Sequence, residues 1–277
     1  MLILLPLFLH AAQPSGEASL CWQADWCEAA EPFRIADNVH SVGTKGLSAF
    51  LITGDKGHVL LDGGLPQSAP LITANIRKLG FRVEDVRYLL INHAHFDHAG
   101  GLAELKRMSG AKLLASRADA GDLEAGRARH RPEQPAMPPV KVDRLIGDGE
   151  QIRLGRIRLT ARLTPGHTPG ATSWLMETID RGRPVRVLFA SSLSVAGLKL
   201  PSHPGYARAA EDFRSTFAKL KAERADIYLS FHPNQFGMAE KLARSGSGNP
   251  FVDPTELQRR VAAAEAAFSA ELAKAAQ

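Results

Sequence analysis

The segment HAHFDH places His93, His95, Asp97 and His98 within six residues. Imidazole and carboxylate are standard zinc ligands, and three protein donors with one open position make the usual catalytic arrangement. In an extended chain alternate side chains point the same way. His93, His95 and Asp97 are therefore expected to face one cavity, with His98 following as the chain turns toward Gly100–Gly101. Four donors are one more than a single catalytic zinc needs. His167 in PGHTPG and His232 in SFHPN raise the set to six, which suits two open sites sharing a water. A solvated polar loop has no reason to gather three imidazoles at this spacing. Most lone histidines, by contrast, are surface or hydrogen-bonded residues, so His40, His58, His130 and His203 are given no metal role.

Something must carry these donors to one place. Short runs rich in Val, Ile and Leu alternate with helical patterns from Phe33 onward, which predicts a mixed α/β fold. Strands are expected at 39–42, 49–52, 58–61, 86–91, 112–115, 157–163, 173–176, 185–189 and 227–230. Helices are expected at 68–79, 102–108, 118–125, 207–224 and 254–275. Five of the strands run out into polar residues: Asp62, His93, the loop before His167, Ser191 and His232. If those ends share one edge of a sheet they converge, as ligand sites in α/β proteins do. The stretch 126–142, rich in Arg and Pro, reads as a long loop, and such loops often serve as lids. Residues 237–253 form a second irregular stretch.

Composition narrows the class. A chain of 277 residues with 44% hydrophobic and 23% charged residues buries a core without needing a metal as a staple. The metals are therefore for chemistry. The net charge of +5 does not indicate nucleic acid, because the basic residues are scattered and no aromatic residues alternate with them. The start, MLILLPLFLHAAQ, contains His10 and is apolar but too short to span a bilayer. Residues 1–18 read as a secretory signal without the usual basic start, and 19–277 as one domain. A periplasmic or secreted protein without a stable membrane anchor follows. In that setting Cys21 and Cys27, the only cysteines, read as a small disulfide loop around Trp22 and Trp26. A lipid anchor on Cys21 is the rival, and Leu20 suits it poorly. Packing of the disulfide loop is the expected role of both tryptophans, and flanking the cleft is the alternative.

HxHxDH, a later GHTPG and a still later His after a strand resemble the metallo-β-lactamase superfamily. The resemblance runs from about Phe33 to the C-terminus. It implies an αββα sandwich with a dizinc site at one edge. By matching positions, His93, His95 and His167 would hold one zinc, and Asp97, His98 and His232 the other. Many superfamily hydrolases place a bridging Asp at the end of the strand that here reads VLFASSLS, and two β-lactamase subclasses use Cys at the second zinc. Neither residue is present. Subclass B3 is similar in having no Cys, in using a His at the position of His98, and in its SLS tripeptide, here Ser192–Leu193–Ser194. SAFLITGDKGHVLLDGG, INHAHFDHAGG and SHPGYARAAEDFRSTFAKL also look like that subclass. Two positions depart: Ser191 stands where members often have Asp, and Ala225 where a cysteine is expected.

The resemblance implies a monomeric hydrolase that opens the amide of β-lactam antibiotics with a hydroxide shared by two zinc ions, conferring resistance. Asp97 would aim that hydroxide, and Ser192 and Ser194 would hold the substrate carboxylate. The alternative is a hydrolase of the same fold acting on a lactone, thioester or phosphodiester. A non-enzymatic metal-binding protein is disfavoured by the six-donor set. Asp62 either orients the metal loop from behind or caps the turn at Gly63–Gly64. Phe96 is either the apolar floor of the site or core.

Overall fold

The computed structural model describes residues 21–244, 246 and 248–275. The signal-like segment 1–18, with His10, lies outside them. Twelve strands are described: β1 Phe33–Ala36, β2 Val39–Ser41, β3 Phe50–Ile52, β4 His58–Leu61, β5 Val86–Leu90, β6 Lys112–Ser116, β7 Arg144–Ile146, β8 Gln151–Leu154, β9 Ile157–Leu163, β10 Thr172–Asp180, β11 Arg183–Ala190 and β12 Ile227–Ser230. The helices are α1 Ser68–Lys78, α2 Phe96–Ala99, α3 Leu102–Ser109, α4 Arg117–Ala125, α5 Ala209–Ala222, α6 Met238–Leu242 and α7 Glu256–Ala275.

β1 to β7 lie in sequence order in one sheet, and the second sheet runs β12-β11-β10-β9-β8. The period-2 rule explains how the first sheet is buried on both faces. Val59, Leu61, Leu90 and Leu114 face the second sheet and meet Trp174, Phe189 and Ile227. The alternate residues Leu60, Leu89, Ile91 and Leu113 face outward onto Ile72 and Ile76 of α1 and Leu102 and Leu105 of α3. Behind the second sheet, Phe213 and Phe217 of α5 pack on Phe268 of α7, with ring centroids 5.4 and 5.6 Å apart. The layers are helix, sheet, sheet, helix, as expected.

β4, β5, β6 and β7 are parallel neighbours. β11 and β12 are also parallel, and β9 shares their direction because both pair antiparallel with β10. The five polar strand ends therefore open on one edge. Backbone contact there is tight. A Cβ on Gly101 would meet the Gly63 carbonyl at 2.3 Å, so only glycine lets the exit of β4 lie against the start of α3.

Two readings of the sequence are corrected: the stretch 237–253 is not irregular throughout, since Met238–Leu242 form α6, and Asp97 reaches the site by another path than expected. The chain is extended only as far as His95 and becomes helical over Phe96–Ala99. Asp97 therefore does not reach the site by strand alternation with His93 and His95; it turns with His98. Three short strands, β1, β7 and β8, also lacked a clear pattern, and the exposed residues of β7 and β8 show why.

Candidate metal centre and active site

The loop after β5 delivers the first donors. Asn92 is held from three sides: its backbone N–H and its side-chain amide donate to the Asp62 carboxylate, and Ser191 Oγ donates to its carbonyl groups at 3.2 Å. Asn92 Oδ1 in turn accepts from Nδ1 of His93. That bond fixes the tautomer and leaves Nε2 of His93 as a bare donor atom. His167 is set the same way, its Nδ1 donating to the Ser194 carbonyl at 2.8 Å. His98 Nδ1 donates to Asp62 Oδ2 at 2.9 Å. Asp62 is fully buried and bonded to both Asn92 and His98, so of its two expected readings the orienting one holds.

Two three-donor groups result, His93/His95/His167 and Asp97/His98/His232, with the donor atoms of each within 4.8 Å of one another. In the second group the three atoms form a nearly equilateral triangle. His98 Nε2 and His232 Nε2 are 3.2 Å apart, and Asp97 Oδ2 lies 3.3 Å from the former and 3.4 Å from the latter. In the first group His93 Nε2 and His95 Nδ1 are 3.1 Å apart. Donors around a tetrahedral zinc at about 2.0–2.1 Å are separated by roughly 3.3–3.4 Å. The donor sets fit zinc in chemistry and in spacing.

Electrostatics separate the two groups. Burial, reinforced by neighbouring imidazoles, holds His93 well below the usual histidine range. His95 is lowered likewise, and His167 is pushed down to about 4 by burial. All three are neutral donors at pH 7. Burial also works against charge on His98, but the carboxylates of Asp97 and Asp62 outweigh it and raise its pKa to about 10. Asp97, despite burial, is held well below the carboxylate range by His98 and His232.

Other residues surround the donors. Ser192 and Ser194 lie on the loop after β11, with Ser192 Oγ accepting from Ser194 N at 3.3 Å. The disulfide Cys21–Cys27 is formed, and its loop does more than pack on itself. Trp26 lies 5.5 Å from the His232 ring, and Trp22, 60% exposed, lies 5.0 Å from Phe96. Phe96 is 3% exposed, forming the apolar floor beneath these tryptophans.

Sequence reasoning missed Asp119 and His130. The buried Asp119 carboxylate accepts from Ala94 N, Thr168 Oγ1 and Gly170 N at 3.0, 3.0 and 2.9 Å. It thus ties the HAHFDH loop to the GHTPG loop. His130, in the irregular 126–142 loop, stacks on His95 at 5.5 Å. His203 also belongs here, its Nε2 donating to the His130 carbonyl at 2.8 Å. By contrast, His40 and His58 flank Phe81, away from the donors, as expected.

A two-sheet sandwich between helices, with two adjacent three-donor groups at one edge, defines a hydrolase class with metal-binding sites. The sequence profile of the "Metallo-beta-lactamase superfamily" matches residues 43–177. The subclass B3 metallo-beta-lactamase BJP-1 of Bradyrhizobium japonicum superposes with a TM-score of 0.87 at 41% identity, covering 91% of this chain and 97% of that one. Among curated proteins, a hydroxyacylglutathione hydrolase of Anaeromyxobacter dehalogenans is 33% identical over 224 residues, 80% of this chain and 73% of its own length. An N-acyl homoserine lactonase of Bacillus cereus is 27% identical over 165 residues, and the chain spans 62% of its length. The chain belongs to the metallo-beta-lactamase superfamily. Within it, the structure is that of the subclass B3 class B enzymes.

Proposed function

We propose that this protein is an exported dizinc β-lactamase that hydrolyses the amide bond of β-lactam antibiotics and confers resistance to them. The triangle of Asp97, His98 and His232 carries the reading: a second donor group built without cysteine, beside a complete first group. His93, His95 and His167 would hold one zinc, and Asp97, His98 and His232 the other. Bound zinc would supply a water whose pKa is lowered to about 7 and a Lewis acid for the carbonyl. Asp97 accepts a hydrogen bond from the attacking water and aims it. Ser192 and Ser194 donate to the carboxylate shared by β-lactams, and neither acts as nucleophile. Trp22 and Trp26 form an apolar wall for the substrate's side group.

A lactone or thioester substrate is the second reading, favoured by the identity to the hydroxyacylglutathione hydrolase. Against it stands Ser191 at the end of β11, where a hydroxyl bonded to Asn92 cannot supply the charge of a bridging carboxylate. Export is supported by the Cys21–Cys27 disulfide. No helix among the described residues is long and apolar enough to cross a membrane. Turnover of a chromogenic cephalosporin, abolished by chelator and restored by zinc, tests the activity, with an acyl thioester and an acyl lactone run beside it. Turnover of the thioester or lactone alone would overturn the first reading. Expression in a susceptible host tests resistance.

A further inference from the structure

Each metal-binding histidine must dispose of its second ring nitrogen, and normally donates it to a carboxylate, a carbonyl or a water. His93 uses Asn92, His98 uses Asp62 and His167 uses the Ser194 carbonyl. His95, although buried, makes no such bond. It turns Nδ1 toward His93, and its Nε2 is buried with no hydrogen-bond partner among the described residues.

A second imbalance lies beside it. His130 is 3% exposed, and neither of its ring nitrogens has a hydrogen bond among the described residues. Its ring stacks on that of His95, with centroids 5.5 Å apart and planes 24° from parallel. Three buried imidazole nitrogens on two neighbouring rings thus have no partner among the described residues, and an unmade bond costs roughly 1–3 kcal/mol. On the far side of His130, Nδ1 lies 3.6 Å from Asp122 Oδ2, just beyond bonding length. Asp122 is held by Arg129, through the backbone N–H at 3.3 Å and through the guanidinium. The backbone of His130 is pinned by His203.

The tautomers close in one way. A proton on Nδ1 of His130 faces Asp122 and leaves Nε2 of His130 an acceptor, while His95 bound through Nδ1 must carry its proton on Nε2. From this geometry we infer that His130 is a positioning residue for the first metal group, accepting the Nε2–H of His95 through one water. The chain Asp122, His130, His95 then fixes the tautomer and orientation of His95 and raises its basicity. It also links the 126–142 loop to the centre. The inference rests on the metal-binding reading above.

The test uses full-length protein loaded with two zinc ions and titrated with a chelator of known affinity. His130→Phe keeps an aromatic ring against His95 but removes the acceptor, whereas His130→Gln restores an acceptor without the ring. The phenylalanine variant is expected to lose one zinc at 10- to 100-fold weaker chelation while the other stays as in the parent. The glutamine variant is expected within about threefold of the parent, as fits an outer hydrogen-bond partner. Nitrogen-15 NMR of histidine-labelled protein should show a protected His95 Nε2–H in the parent that is lost in His130→Phe. Parent-like zinc retention in His130→Phe would leave ring packing alone, and equal losses in both variants would show that a restored acceptor does not matter; either result overturns the inference. If the parent itself takes up no zinc, the metal-binding reading falls first, and the variants are not needed to show it.

Discussion

The carboxylate of Asp62 stands behind the second donor group, its Oδ2 2.9 Å from Nδ1 of His98. Asp62 holds a positive φ of 65°, a conformation that costs a residue with a side chain about 1–2 kcal/mol. It persists because the bonds to Asn92 and His98 over-determine it. Replacing Asp62 with Asn keeps a residue that tolerates this backbone but removes the charge. Asp62→Asn should weaken zinc at the His98 group by 10- to 100-fold and spare the His93 group. Zinc counted against a chelator series checks this, and equal weakening of both ions would show that Asp62 serves the loop as a whole.

The two groups should also differ in their response to pH. In the metal-free protein His98 holds a proton, its pKa raised to about 10 by Asp97 and Asp62 against the effect of burial. Zinc must displace that proton, so affinity at the second group should fall tenfold for each unit of pH lost below about 10. The first group differs because burial has pushed His167 down to about 4 and lowered His93 and His95 as well. Its affinity should be nearly flat above roughly pH 5. Calorimetric titration between about pH 5.5 and 6.5, below the point where zinc-acidified water ionises, isolates the histidine protons. Equal slopes at the two groups would contradict the assignment.

Asp119 makes a prediction about stability. Its carboxylate satisfies two backbone N–H groups and one hydroxyl in a dry interior. Asp119→Ala strands all three, at roughly 1–3 kcal/mol each less what relaxation recovers, so a loss of about 3–5 kcal/mol is expected. Denaturant unfolding of the metal-free protein measures it. A loss below about 1 kcal/mol would mean that the two metal loops hold together without this carboxylate.

How much of this was legible in the sequence depends on how local each cause is. The six donors stood out because HAHFDH is dense and because His167 and His232 follow apolar strands that run out into polar residues. Strands β4, β9 and β12 are found at the expected residues. The short helix Phe96–Ala99 was hidden, since four residues are too few to show a helical period. Asp119 looked like an ordinary acid in the first turn of a helix capped by Ser116. His130 was a lone histidine in a loop without a period, and only the fold sets its ring against His95. Trp26 likewise needed the disulfide loop to be folded over the edge before it could reach His232.

The serines give the prediction that separates this site from others of the fold. Ser192 and Ser194 sit on the loop after β11, and Ser194 also supports the first metal group, but through its main-chain carbonyl to His167. Alanine keeps that carbonyl. Ser192→Ala, Ser194→Ala and the double variant should therefore retain zinc at the parent level. What they lose is the hydroxyl donors assigned to the substrate carboxylate. A hydrogen bond to a charged group is worth about 1.5–3 kcal/mol, so each loss should lower kcat/KM by roughly ten- to a hundredfold. Water entering the gap places each single change toward the lower end. Asp97→Ala should cost several orders of magnitude, because it removes both a proposed metal donor and the group proposed to aim the water. Steady-state kinetics with zinc analysis on all four variants makes the comparison. Background activity in either single serine variant with zinc retained would point to a nucleophilic serine. An unchanged kcat/KM in the double variant would move the carboxylate contact elsewhere, with Arg131 of the 126–142 loop a candidate, since its guanidinium donates to the Ala196 carbonyl of the serine loop at 3.2 Å.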